Sequence, residues 1–257
     1  MARPQTLPQE NATLRPKHRF WTKVWLGVRY SFRAVIDLAR YCLRRPNFPA
    51  GALSYDDYWD VREPVLIGTR FRALATLVEE GSSVLDLGCG EGTLLEFLEQ
   101  ERSIRGFGVD VSPRAVEKVR ARGLDAVVAD ISSGEVPSGS YDHVICGEFL
   151  EHIAEPERVL LAIKPALRGT LLVSLPNVAY YPDRFRLLFG RFPVQWLHHP
   201  AEHLRYFSVR DAIDWSNDLG FSVRSVQAVT GFPVLMKLWP NLFAQQVVYE
   251  LEVADHE

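Results

Sequence analysis

Four acidic residues at regular intervals carry the chemistry of this chain. Asp86 lies in Val-Leu-Asp-Leu-Gly-Cys-Gly-Glu-Gly-Thr-Leu, residues 84–94, with Glu91 inside the same glycine turn. Asp110 ends Gly-Phe-Gly-Val-Asp, 22 residues after Gly88, Asp130 ends Ala-Val-Val-Ala-Asp, and Glu148 follows His-Val-Ile-Cys-Gly. Gly88, Gly90 and Gly92 allow a ligand close to the backbone, and a helix opening after them can aim N–H groups at a polar end. No Lys-Ser or Lys-Thr follows, so a P-loop is not indicated. Two carboxylates would also repel a pyrophosphate, whereas a ligand bearing positive charge suits them.

An acid about 20 residues beyond the glycines suits ribose hydroxyls. Asp130 suits either an adenine amino group or a helix N-cap. A nucleoside with cationic groups and no phosphate satisfies all of this, and S-adenosylmethionine, with its ammonium and sulfonium, is such a molecule. The competing readings are a plain strand–helix turn and a dinucleotide oxidoreductase. The latter fits less well, because the glycine spacing is GxGxG and not GxGxxG.

If that ligand is S-adenosylmethionine, its sulfonium makes methyl transfer the expected chemistry, and transfer to a hydroxyl needs alignment and usually a base. The candidates are Glu148, His152, His203 and the tyrosines of Ser-Tyr-Asp-Asp-Tyr-Trp-Asp, Tyr55 and Tyr58. His152 is equally read as a histidine packed beside the cofactor. His198, His199, Glu202 and His203 are close in sequence, but in an irregular stretch with no second cluster to complete a ligand set, so no metal is expected. Arg205 suits an anionic acceptor; alternatively, it and His203 pin a loop to the sheet. Residues 54–64, rich in aromatics and aspartates, suit a lid over the cofactor, or outer packing.

The elements that must place these residues alternate. Strand-like runs fall at 83–87, 106–111, 126–129, 142–146 and 170–175, with helical stretches at 65–80, 91–101, 113–122, 155–167 and 208–219. This predicts an α/β, Rossmann-like, doubly wound sheet, with the four acids at strand C-termini, where such sheets bind ligands. Two further strands, 221–227 and 246–253, close the chain, and 176–206 reads as irregular. Residues 1–18 read as a disordered tail. In 19–64, a basic amphipathic helix over 19–45 precedes the aromatic connector, and 65–257 form the main domain. Residues 1–50 hold ten Lys/Arg against two Asp/Glu, while the rest hold 19 against 30. The arginine stripe and Trp21 and Trp25 suit an anionic membrane surface; alternatively the helix packs against its own domain or a second subunit. An acidic body without a recognised motif argues against nucleic acid. Cys42, Cys89 and Cys146 are too dispersed for a disulfide framework or zinc knuckle, which fits a cytoplasmic location.

The motifs at 84–94 and 106–112, with VVADI and YDHVICGEFLEHIAEPERVL, resemble those of class I S-adenosylmethionine-dependent methyltransferases over about residues 65–253. LLVSLPNVAYYPDRFRLLFGRFPV, HLRYFSVRDA and LWPNLFA resemble the MetW-like branch and relatives linked to glycan pathways. The resemblance implies a seven-stranded, mostly parallel sheet whose last strand is antiparallel, and an N-terminal helical extension. It implies a cofactor cradle of Gly88, Cys89, Gly90 and Gly92. Asp86 would meet the methionine ammonium, Asp110 and Val111 the ribose side, and Asp130 and Ile131 the adenine, with Glu148 at the same site. His203 and Arg205 match the His-Leu/Ile-Arg-Phe/Tyr-Phe element of the glycan-linked relatives. The expected acceptor is a hydroxyl of a small, sugar or lipid-linked metabolite. A MetW-like partner role toward another enzyme is the alternative, which the basic extension puts in question.

Overall fold

The computed structural model describes residues 35–46, 66–134, 136–195 and 199–254. Tyr55 and Tyr58, most of the basic helix and the aromatic connector therefore lie outside the described residues. The chain divides between Arg44 and Arg45 into two units. In the first, residues 35–43 form a helix, α1. Among the described residues, no helix is long and apolar enough to cross a membrane.

The second unit runs α2 (Thr69–Leu77), β1 (Ser83–Leu87), α3 (Thr93–Arg102), β2 (Arg105–Asp110), α4 (Pro113–Ala121), β3 (Asp125–Val128), β4 (Tyr141–Gly147), α5 (Pro156–Ile163), β5 (Leu167–Pro176), α6 (Tyr181–Leu188), α7 (Val209–Asp218), β6 (Phe221–Gly231), two short helices α8 (Leu235–Leu238) and α9 (Pro240–Phe243), and β7 (Ala244–Val253). The seven strands form one sheet in the order β3-β2-β1-β4-β5-β7-β6. β7 is antiparallel to both β5 and β6, and the pairings from β3 to β5 are parallel. This is the expected doubly wound α/β architecture.

Its physical basis is local. A strand covered on both faces must be apolar throughout, and four of the five residues of β1 are buried. Val84 faces a core with Leu74, Leu95 and Leu98, while Leu85 and Leu87 face the opposite core with Leu150, Leu160 and Ile163. The period of two puts Asp86 on the Val84 side, beside Phe71 and Leu94. Ser112 caps α4 by accepting the Ala115 amide at 3.3 Å, with Pro113 following at the helix start. Ser208 caps α7 by accepting the Asp211 amide at 3.1 Å.

The structure departs from expectation in several places: the helix expected over 155–167 ends at Ile163, β5 already starts at Leu167, and β6 runs on to Gly231. The helix expected over 65–80 is shorter, with residues 66–68 irregular and Val78 already extended. The stretch read as irregular contains α6, which has no side-chain N-cap and begins with Pro182 near its start. A buried anchor holds it: Arg186 is fully buried and donates Nε–H to the Phe192 carbonyl, just beyond the helix, at 2.6 Å.

Candidate functional site

The turn after β1 is tied to β2 by its own amides. Gly88 and Cys89 donate to the Val109 carbonyl at 2.8 and 3.0 Å, Gly90 donates to Asp110 Oδ2 at 2.9 Å, and Gly92 donates to the Cys89 carbonyl at 3.0 Å. These four N–H groups are thus consumed inside the protein and do not offer a phosphate nest. The cradle is a close-approach surface, in keeping with a ligand that has no phosphate. Gly88 has φ +73°, and a Cβ there would sit 2.8 Å from Phe149 Cγ, so the position requires glycine.

Two cavities meet over this turn, sharing Gly88 and Glu148. The smaller, about 110 Å³, is lined by Arg70, Asp86, Cys89, Gly90 and Glu91 among others. The larger, about 310 Å³, is lined by Asp110, Val111, Asp130, Ile131, Phe149 and His152 among others. Together they bring all four strand-end acids to one trough.

Asp86 is buried, and its pKa rises to about 7 because it is removed from water; Arg70 opposes the rise and Asp110 adds to it. A cationic ligand group would offset this desolvation. Glu91 accepts from Thr93 Oγ1 at 3.1 Å and lies 3.8 Å from Arg122, so its charge is partly met within the protein. Cys89 is buried, and burial with the Asp86 and Asp110 charges pushes its thiol far up, which makes it wall and not nucleophile.

Asp110 uses one carboxylate oxygen for Gly90 and the other for the Ser112 amide at 2.9 Å. A carboxylate has about four acceptor positions, so ribose hydroxyls remain compatible with this role. Asp130 accepts the Ser132 amide at 2.9 Å and caps the short turn Ile131–Ser133, so the N-cap reading holds alongside its place on the cavity wall. Val111 is exposed at the trough and Ile131 buried beneath it, an apolar pair suited to a flat base.

Glu148 adopts φ +55°, a conformation non-glycine residues rarely take. Ser174 fixes it: its hydroxyl accepts the Glu148 amide at 3.0 Å and donates to Oε1 at 3.2 Å. The next turn, Leu150–His152, carries Glu151 and His152. Nδ1 of His152 hydrogen-bonds the Glu202 carbonyl oxygen, and its ring packs edge-on to His203 at 4.9 Å between centroids. Burial, with His152 alongside, lowers the His203 pKa to about 4.

Arg205 lines neither cavity. It grips Glu157 through two nitrogens, at 2.6 and 3.1 Å, and donates to the Ala154 carbonyl at 3.2 Å. The geometry is that of the loop pin. Arg70 and Phe71 on the smaller cavity escaped the sequence reading, as did Phe149. Their only local trace is Arg70 beside an apolar helix face, which periodicity reads as solvent-facing.

The chain is 25% identical over 174 residues to a ubiquinone biosynthesis O-methyltransferase of Leptothrix cholodnii, covering 62% of this chain and 72% of that protein. It is 29% identical over 166 residues to one of Pseudomonas paraeruginosa, covering 60% and 70%. Among solved structures, the CcbJ methyltransferase from Streptomyces caelestis shares the fold, with a TM-score of 0.58 and 16% identity over 78% of this chain and 96% of that one. The family model described as methionine biosynthesis protein MetW matches residues 69–251. With a seven-stranded methyltransferase sheet and a trough whose residues fit S-adenosylmethionine, the chain belongs to the MetW family of class I S-adenosylmethionine-dependent methyltransferases.

Proposed function

We propose that the chain methylates a hydroxyl oxygen of a small acceptor, such as a sugar or lipid-linked metabolite, in the larger cavity beside Glu148 and His152. The carrying observation is that Gly88 and Glu148 stand in the walls of both cavities, so the two lie side by side over the glycine turn. One end supplies a buried acid for a cation, and the other supplies imidazole and carboxylate beside open space. The O-methyltransferase relatives support oxygen as the acceptor atom.

In this reading Asp86 meets the methionine ammonium and Arg70 the carboxylate. Asp110 takes the ribose hydroxyls, while Val111, Asp130 and Ile131 surround the adenine. When bound, S-adenosylmethionine supplies an electrophilic methyl group whose carbon–sulfur bond breaks as the new carbon–oxygen bond forms, leaving a neutral thioether. Glu148 takes the acceptor proton, held in place by Ser174. Phe149 and the apolar wall exclude water.

Calorimetric titration of S-adenosylmethionine into wild type and Asp110→Ala, followed by labelled-methyl transfer to a panel of hydroxyl acceptors, tests this. Absence of binding by wild type removes the reading. Binding without transfer to any acceptor favours the second reading, a cofactor-binding partner of another enzyme, which the family description as a methionine biosynthesis protein supports.

A further inference from the structure

Glu151, His152 and His203 offer ligand atoms that all lie within 4.8 Å of one another, the one such group among the described residues. Backbone pairing creates the meeting: the Leu204 and Arg205 amides both donate to the Glu151 carbonyl, at 2.8 and 3.1 Å. This draws the segment after β5 onto the turn after β4.

Three further features make the group more than a coincidence of polar residues. Glu151 is fully buried, and neither carboxylate oxygen has a hydrogen-bond partner. His203 Nδ1 is also buried without a partner. Nδ1 of His152 faces a carbonyl oxygen, so it carries the proton and leaves Nε2 with a free lone pair. That is how proteins orient a metal-binding imidazole. A buried acid with both oxygens unsatisfied is costly, and a cation removes the cost.

We propose that Glu151, His152 and His203 form a binding site for a divalent first-row transition-metal ion at the edge of the larger cavity. Two imidazoles and one carboxylate suit Mn²⁺, Co²⁺ or Zn²⁺ better than Mg²⁺ or Ca²⁺. Ligand atoms at about 2.1 Å from one ion stand at most about 4.2 Å apart, so small side-chain rotations close the set. Three protein ligands leave coordination positions open, and His152 lines the cavity in which an acceptor would lie. The acceptor hydroxyl binds the ion there, which lowers its pKa, and its proton passes to Glu148; this second step rests on the methyl-transfer reading above.

The test uses the full chain stripped with EDTA. Titration with Co²⁺, followed by visible d–d absorption, and with Zn²⁺, followed by calorimetry, is expected to saturate at one equivalent. Mg²⁺ and Ca²⁺ are expected to bind at least about 10-fold more weakly. Glu151→Gln and His203→Gln are expected to lose about 100-fold or more in Zn²⁺ affinity, with folding checked by circular dichroism. One equivalent of Zn²⁺ must also protect His152 of the wild-type chain from diethyl pyrocarbonate, read by peptide mass, which decides the matter without variants. No saturable binding, unchanged binding in either folded variant, or an unprotected His152 overturns the site. An EDTA-stripped chain that transfers methyl groups at the full rate overturns the acceptor role alone and leaves methyl transfer standing. Metal binding without methyl transfer to any acceptor does the reverse.

Discussion

Gly90 donates its amide to Asp110 Oδ2 at 2.9 Å, so the residue proposed to meet ribose also locks the glycine turn to the end of β2. Asp110→Ala therefore does two kinds of damage. It frees the Gly90 and Ser112 amides, each hydrogen bond to a charged group being worth about 1.5–3 kcal/mol. Thermal unfolding is expected several degrees lower, with S-adenosylmethionine affinity reduced at least about 10-fold by calorimetry. A variant that melts like wild type shows that Asp110 does not hold the turn.

Gly88→Ala brings a Cβ against the Phe149 ring and keeps a left-handed backbone. The expected loss is about 2–4 kcal/mol, from overpacking and backbone strain together. Phe149→Ala in the same chain relieves the steric part only. Denaturant melts of the two single variants and the double variant measure this; simple additivity would show that the two residues do not collide.

Asp86 sets a pH dependence. Its pKa is about 7 when buried, against about 4 in an unfolded chain. The charges acting on it are Arg70, which opposes the rise, and Asp110, which adds to it. A raised acid pKa means the folded form binds the proton more tightly. Its contribution to stability is present below about pH 4 and is lost as pH rises through about 7. A cationic ligand favours the ionised form, so S-adenosylmethionine affinity is expected to rise between about pH 6 and 8. Asp86→Asn should bind more weakly and with a shallower slope. Calorimetry at both pH values, with equal slopes in the two proteins, would contradict this.

Arg205→Ala separates the loop pin from acceptor recognition. The Arg205–Glu157 pair is about one-third exposed on each side, so its loss should cost only about 1 kcal/mol. Trp215 Nε1–H, at 2.8 Å from Glu157 Oε1, continues to hold the acid. Cofactor affinity and acceptor KM are expected to stay unchanged. A raised KM at unaltered stability would return Arg205 to the acceptor site.

The extent to which sequence foretells structure differs between elements. β1 falls at the residues expected, 83–87, because an apolar run bounded by Gly81 and Gly88 leaves little freedom. α4 is equally legible from Ser112-Pro113, a cap followed by a rigid first turn. α6 is not: it lacks a capping side chain, and its anchor is a buried arginine whose partner lies beyond its C-terminal end.

The sequence by itself determined the strand–helix alternation, the glycine turn and the acids at the strand ends. These rest on neighbours in the chain, through side-chain period, φ permissiveness and capping. Only the tertiary structure decided that the turn's amides are already consumed, that Arg70 and Asp86 line the same cavity, and that Arg205 serves Glu157. It also decided that His203 meets Glu151 and His152, about fifty residues earlier, through backbone pairing between two loops. Such meetings depend on how distant segments lie across the sheet, which no local periodicity records.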